Sequence, residues 1–215
     1  MREEFIAVIG DSGQWEELNT HKLPEGWTFV YAGDVVELEG IDGPGAIFIL
    51  QESAIKGFPF DDFRSDTIFF VHDMTKTCGD LHHHQGIIRI NGWPGFLKNK
   101  VFEIAAPADR KAAAEAFLKS IGWHWEWVAD VPGMATPRVI SMIINEACFA
   151  VGEDVSTPEG IDQAMTLGAA YPMGPFEWCR RIGKERIIGL LELLSKGDER
   201  YRPAPHIDKI LISRP

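Results

Sequence analysis

The apolar run Phe5–Gly10 ends in a glycine. Gly10, Ser12 and Trp15 occupy the three positions that a Gly-x-Gly-x-x-Gly turn fills with glycine. In such a turn the second glycine lets the backbone approach a pyrophosphate, and the third lets the helix pack on its strand. Only the first glycine is present here. Trp15 stands where no side chain is wanted, and Asp11 adds a carboxylate beside the phosphate position. Asp34 follows the next apolar run, where an acid would accept ribose hydroxyls, although strand-end aspartates also serve turns. The spacing predicts a dinucleotide-type turn with most of its phosphate-binding character removed.

Proton transfer needs a group that titrates near neutrality, and histidine is the usual one. His72-Asp73 follows the apolar run Thr67–Val71 and could form an oriented imidazole at a strand end. His124 lies between two tryptophans and reads as structural. His82, His83 and His84 are adjacent, so no regular element can turn all three onto one ion; they read as a solvated loop, and no metal site is expected. Arg89, Lys98 and Lys100 form a basic group near Glu103 that could contact phosphates or stand solvated. Glu153 and Asp154 read as helix-start and surface charges, not as a carboxylate pair.

The elements that must position these residues change character at about residue 130. Before it, Trp27–Ala32, Ala46–Leu50, Thr67–Val71, Gly86–Ile90 and Phe102–Ile104 join Phe5–Gly10 as short apolar runs, the look of buried parallel strands. Glycine-, proline- and aspartate-rich loops such as 40–45 separate them, with brief helical stretches between. Residues 107–120 are the clearest helix of this half, with Pro107 near its start. Residues 123–128 alternate strictly, so Trp123, Trp125 and Trp127 share one strand face, as in a sheet packed on a helix. After Asp130-Val131-Pro132-Gly133 the period is helical, over 138–151, 159–167, 176–182 and 184–195.

Composition narrows the field further. The 215 residues are 45% hydrophobic and 25% charged, enough for a sizeable core in one large or two modest domains. The net charge of −11 argues against nucleic acid or an anionic membrane as partner. It also leaves a polyanionic ligand in need of a locally basic patch. No apolar run reaches membrane-spanning length, and Met1-Arg2-Glu3-Glu4 is too acidic to open a signal peptide. Cys78, Cys148 and Cys179 lack metal-type spacing and read as free thiols in a reducing cytoplasm.

Residues 156–177, STPEGIDQAMTLGAAYPMGPFE, are the most specific stretch of the chain. Thr157 caps a helix with Ile161, Ala164 and Met165 on its apolar side, and Gly168 ends it. Tyr171-Pro172-Met173-Gly174-Pro175 then makes a rigid bend before Phe176 restarts helix. This segment resembles the C-terminal domain of 3-hydroxyacyl-CoA dehydrogenases, where ED-ID-x-A-M-x-x-G-x-G-x-P-M-G-P-F-E recurs. The resemblance extends over about residues 128–211. It takes in Asp130-Val131-Pro132-Gly133-Met134, Ile144-Asn145-Glu146-Ala147 and Tyr201-Arg202-Pro203. It implies an α/β fold: a shortened, degenerate Rossmann-like parallel sheet (1–129), then an all-helical domain (130–215) that carries a homodimer interface and closes over acyl-CoA.

Over the first half the resemblance is fainter. AIFILQESA resembles a strand reading D-L-V-I-E-A, and TIFFVHDMT resembles I-x-A-S-N-T-S. Residues 90–104, INGWPGFLKNKVFEI, resemble G-x-H-F-F-N-P…L-V-E-V, which supplies a catalytic histidine and, twelve residues later, the glutamate that orients it. Glu103 matches that glutamate, and Asn91 stands where the histidine belongs. Thr75 keeps a hydroxyl near a substrate-bonding serine, and Pro137 replaces a substrate-positioning asparagine. An amide cannot take a hydroxyl proton at neutral pH, and proline has no N–H to donate. NAD is the implied cofactor through Gly10, Ser12 and Asp34, and the lost glycines argue against it. Lys98 and Lys100 are the implied contacts to coenzyme A, with His72 as the substitute base. The resemblance implies either an NAD-linked oxidation of 3-hydroxyacyl-CoA or a silent homologue that binds acyl-CoA or a partner.

Overall fold

The computed structural model describes residues 4–38, 43–81 and 87–211, which form two compact units, Met1–Met134 and Ala135–Pro215. In the first, strands β1 (Glu4–Ile9), β2 (Trp27–Ala32), β3 (Ala46–Ile49), β4 (Ile68–Val71), β5 (Ile87–Ile90), β6 (Val101–Ala105) and β7 (His124–Trp127) make one sheet in the order β2-β1-β3-β4-β5-β6-β7. The first five run parallel. β6 turns antiparallel to β5, and β7 runs parallel to β6, so the sheet is mixed where the sequence alone had read parallel. β3 and β5 are buried along their whole length, which is why they read as unbroken apolar runs instead of alternating ones.

Alternate residues of these strands build two apolar layers. Ile6, Val8, Phe48, Phe70, Ile88 and Ile104 face helices α1 (Ser12–Leu18) and α3 (Ala108–Ser120) through Leu18, Ala114 and Leu118. Ala7, Ile9, Ile47, Ile49, Phe69 and Val71 face the other way. There, short α2 (Glu52–Ile55) and an aromatic loop supply Ile55, Phe58 and Phe60 in place of full crossover helices. The three tryptophans of the β7 region all lie on the first layer. Trp127 Nε1 donates to Glu115 Oε1 at 3.0 Å, and Lys111 Nζ lies 4.9 Å from the Trp127 ring centre, so this face packs on α3. His124 points the other way and is exposed.

Residues 130–134 pair within the first unit. Arg89 Nη1 donates to Asp130 Oδ1 at 2.8 Å, Cys78 N–H donates to Asp130 Oδ2, and Gly133 N–H donates to Met74 O. The division between the units therefore falls after Met134, a few residues past the composition change.

The second unit contains α4 (Thr136–Gly152), α5 (Pro158–Gln163), a π turn at Ala164–Gly168, α6 (Pro175–Ile182), α7 (Lys184–Ser195) and α8 (Ile207–Ile210). Ile140, Ile144, Cys148, Phe176, Ile182, Ile187 and Leu191 are among its buried apolar residues. Thr157 caps α5 by accepting from Gly160 N–H. Glu153 and Asp154 do not open a helix: they close α4, Asp154 in a left-handed conformation at φ 55°. Among the described residues no helix is long and apolar enough to cross a membrane.

Candidate functional site

The C-terminal ends of the parallel strands gather most of the residues singled out above. At the end of β1, Gly10 leads into Asp11, the N-cap of α1. Asp11 Oδ1 accepts from Gln14 N–H at 2.8 Å, and Gln14 Oε1 accepts from Asp11 N–H at 3.1 Å, a reciprocal capping box. Gln14 is 1% exposed, and its Nε2 donates to Leu50 O at 3.0 Å and Gly92 O at 2.9 Å. Ser12 is exposed at the first position of α1. Trp15 packs against Phe29 and Tyr31 of β2, so the helix lies on its strand through an aromatic side chain where a glycine contact was wanted. Tyr31 Oη also donates to Gly10 O at 3.1 Å. Asp34 serves its turn: Oδ1 accepts from the N–H groups of Val36 and Glu37.

These contacts decide whether a dinucleotide suits the turn. A pyrophosphate needs free N–H groups at the helix start and room against a glycine backbone. Here the Gln14 N–H is bonded to the Asp11 carboxylate, and a Cβ on Gly10 would already lie 3.2 Å from Gln14 Oε1. The residues present do not fit a dinucleotide pyrophosphate.

At the end of β4, His72 is buried, and its Nδ1 accepts from Gly92 N–H at 3.1 Å. Its Nε2 lies 3.9 Å from Glu52 Oε1. Asp73 does not orient His72, contrary to the pairing read from their adjacency. Its Oδ1 accepts from Thr75 N–H, Thr75 Oγ1 and Lys76 N–H at 2.9, 2.7 and 3.1 Å. Burial alone would raise the Asp73 pKa, but the Thr75 bonds and the Lys76 ammonium outweigh it and hold the carboxyl below its ordinary value. The Thr75 hydroxyl is thus turned onto Asp73.

Asn91 and Glu103 come together as the resemblance implied. Antiparallel pairing of Arg89 with Ala105 and Ile90 with Ile104 continues one step, and Asn91 N–H donates to Glu103 O. Residues opposite each other in such a ladder share a face. Asn91 Nδ2 reaches Glu103 Oε2 at 3.4 Å, while its Oδ1 accepts from Trp93 N–H at 3.2 Å. Asn91 is 4% exposed. A carboxylate orients a side chain here, and that side chain has no proton to exchange at neutral pH.

Arg89 does not join Lys98 and Lys100 in a basic patch. It is fully buried, and its guanidinium donates to Asp73 O, Val131 O and the Asp130 carboxylate. Lys98 and Lys100 are exposed on the loop before β6. Pro137 is buried in the first turn of α4. His82, His83 and His84 lie outside the described residues, and among the described ones no cluster of His, Cys, Asp and Glu could hold a metal ion.

Two roles escaped the reading from sequence. Gln14 had a usable signal, since Asp11-Ser12-Gly13-Gln14 has capping-box spacing. Asp162 had none: it caps α6 from across a bend, Oδ1 accepting from Phe176 N–H at 2.8 Å and Oδ2 from Glu177 N–H at 3.1 Å. A Cβ on Gly174 would clash with Asp162 Oδ1, so the Asp and the Gly of this segment form one device.

An α/β layer with a ligand edge at its strand ends, followed by a helical domain, is the architecture of Rossmann-type dehydrogenases. Residues 133–213 match the family described as 3-hydroxyacyl-CoA dehydrogenase, C-terminal domain, so the chain carries that family's C-terminal domain behind a Rossmann-like one. The 3-hydroxyadipyl-CoA dehydrogenase of Escherichia coli (strain K12) is 42% identical over 113 residues, 50% of this chain and 24% of that protein. A probable 3-hydroxybutyryl-CoA dehydrogenase of Bacillus subtilis (strain 168) is 42% identical over 84 residues, 38% of this chain and 29% of the relative. The chain thus spans about a quarter to a third of these curated relatives. The solved (S)-3-hydroxybutyryl-CoA dehydrogenase from Ralstonia eutropha has the same fold, with a TM-score of 0.69 at 18% identity over 96% of this chain and 92% of that one.

Proposed function

We propose that this protein is a 3-hydroxyacyl-CoA dehydrogenase homologue that binds an acyl-CoA-type ligand as a homodimer and does not carry out the hydride transfer. The observation that carries this reading is the Asn91–Glu103 pair: the orienting carboxylate is in place, and the group it orients is an amide. His72 is a poor substitute for the missing base, because it is buried and its Nδ1 is committed to Gly92 N–H. Pro137, without an N–H, and the dinucleotide turn, which is bonded to itself, point the same way.

The acyl-CoA part rests on the relatives, whose names specify coenzyme A thioesters, and on exposed Lys98 and Lys100 as phosphate contacts. The dimer rests on a mostly apolar face of the helical unit, where Ile143, Ala147, Ala150, Ile161, Met165 and Pro175, with Glu146 beside them, line a shallow groove of about 260 Å³. Three free cysteines fit a cytoplasmic setting.

Calorimetric titration with acetoacetyl-CoA, without nucleotide, tests the ligand. Saturable heat that weakens in a Lys98→Ala, Lys100→Ala variant is the expected result. A folded protein that gives no heat contradicts the acyl-CoA assignment.

A further inference from the structure

We infer that the ligand crevice at the switch point of the sheet is sealed by the chain itself, with Gln14 as the latch that excludes a dinucleotide. β1 has β2 on one side and β3 on the other, and open α/β sheets take their ligands in the gap beyond such strand ends. Gln14 spans that gap. A primary amide offers two N–H donors and one carbonyl acceptor. The donors of Gln14 reach Leu50 O, just after β3, and Gly92 O, just after β5; its acceptor takes Asp11 N–H. The side chain is saturated and buried, so it has nothing left for a phosphate. Displacing it would strand two buried carbonyls.

The other half of the seal is electrostatic. The Asp11 carboxylate occupies the Gln14 N–H, and a pyrophosphate there would face a like charge in place of a free donor. Gly92 permits the closure. A Cβ at that position would lie 2.9 Å from His72 Cβ and 3.2 Å from Leu50 Cδ2, so only glycine lets the loop after β5 come down onto Gln14. His72 then receives Gly92 N–H on Nδ1 and holds the loop there. His72 is in this account a positioning residue for the latch.

The inference stands apart from the acyl-CoA reading, because a coenzyme A thioester can bind whether or not this crevice is shut. The first test is titration of the full chain with NADH alone, followed by calorimetry and by nucleotide fluorescence. No saturation into the millimolar range is expected; saturable micromolar binding overturns the inference, whatever acetoacetyl-CoA does. The second test is thermal unfolding of Gln14→Glu and Gln14→Met beside the wild type.

In Gln14→Glu a carboxylate faces two carbonyl oxygens, so its folded pKa lies above the ordinary glutamate value. Its stabilising contribution is present when the group is protonated and is lost as pH rises through that folded pKa. The variant should therefore fall by several degrees in Tm at pH 7 and recover relative to wild type towards pH 5. Asp11, His72 and Glu52, the titratable neighbours, are common to both proteins and cancel in the comparison. Gln14→Met should lose several degrees without that pH dependence. A Tm equal to wild type in Gln14→Met overturns the latch, even where Gln14→Glu does not fold.

Discussion

At position 91 the side chain is an amide, which has no proton to exchange at neutral pH. The β5–β6 ladder delivers Glu103 to whatever stands there, and an imidazole so held would titrate near neutrality, whereas the Asn91 amide does not. Restoring the two replaced groups with Asn91→His and Pro137→Asn is expected to leave acetoacetyl-CoA-dependent NADH oxidation at background, because Asp11 and Gln14 still close the turn. A recovered rate in that double variant would show that the turn admits the cofactor. The cysteines give a separate residue-scale prediction. Burial pushes the Cys78 thiol up to about 12, helped by the Asp130 charge, and pushes Cys148 to about 12 and Cys179 to about 11. At pH 8 the native protein should react slowly with a thiol reagent and the denatured chain quickly. The linkage has a definite sign: unfolded thiols ionise near 9.0, whereas the folded ones stay protonated. The thiol contribution to stability is thus fully present below that pH and declines as pH rises towards 12. Chemical unfolding at pH 8 and pH 10 checks this, and equal midpoints would contradict it.

Among the elements, the bend between α5 and α6 explains why its sequence is so specific. Asp162 satisfies two N–H groups at the start of α6, and Gly174 leaves the space that lets it do so. Asp162→Ala should destabilise the second unit by about 1–3 kcal/mol, and Gly174→Ala by at least as much. Urea midpoints within error of wild type for both would refute the cap. Which elements were legible follows from how local their signals are. The seven described strands and α3 stand within a residue or two of the spans read from sequence, because apolar runs, the alternation at β7, the helix formers of α3 and Gly/Pro punctuation are written locally. The twelve-residue step from Asn91 to Glu103 was legible only through the family resemblance, and the antiparallel register that brings the two together is seen in the structure alone. The reversal at β6 was not legible, since an apolar run carries no direction. The Asp162 cap was hidden because its partners lie 14 and 15 residues on, across a bend. Arg89 was misread for a related reason: its type signals solvent, while its partner Asp130 lies 41 residues away.

For the whole molecule, the helical unit matches the C-terminal domain of 3-hydroxyacyl-CoA dehydrogenases, while at the first turn of the α/β unit the Asp11 and Gln14 N–H groups are engaged by the chain's own side chains. The dimer is the expectation most easily overturned. Light scattering should give twice the chain mass of 24.1 kDa, and a monomeric mass would remove it. Net charge of −11 keeps such a dimer soluble and adds a general repulsion to any polyanion that lacks a basic landing site. The central claim is that the scaffold persists without its reaction, and the most direct measurement is steady-state NADH oxidation by the purified full chain with acetoacetyl-CoA. No rate above the protein-free background is expected at any substrate concentration; a rate that saturates in both NADH and acetoacetyl-CoA would contradict the account.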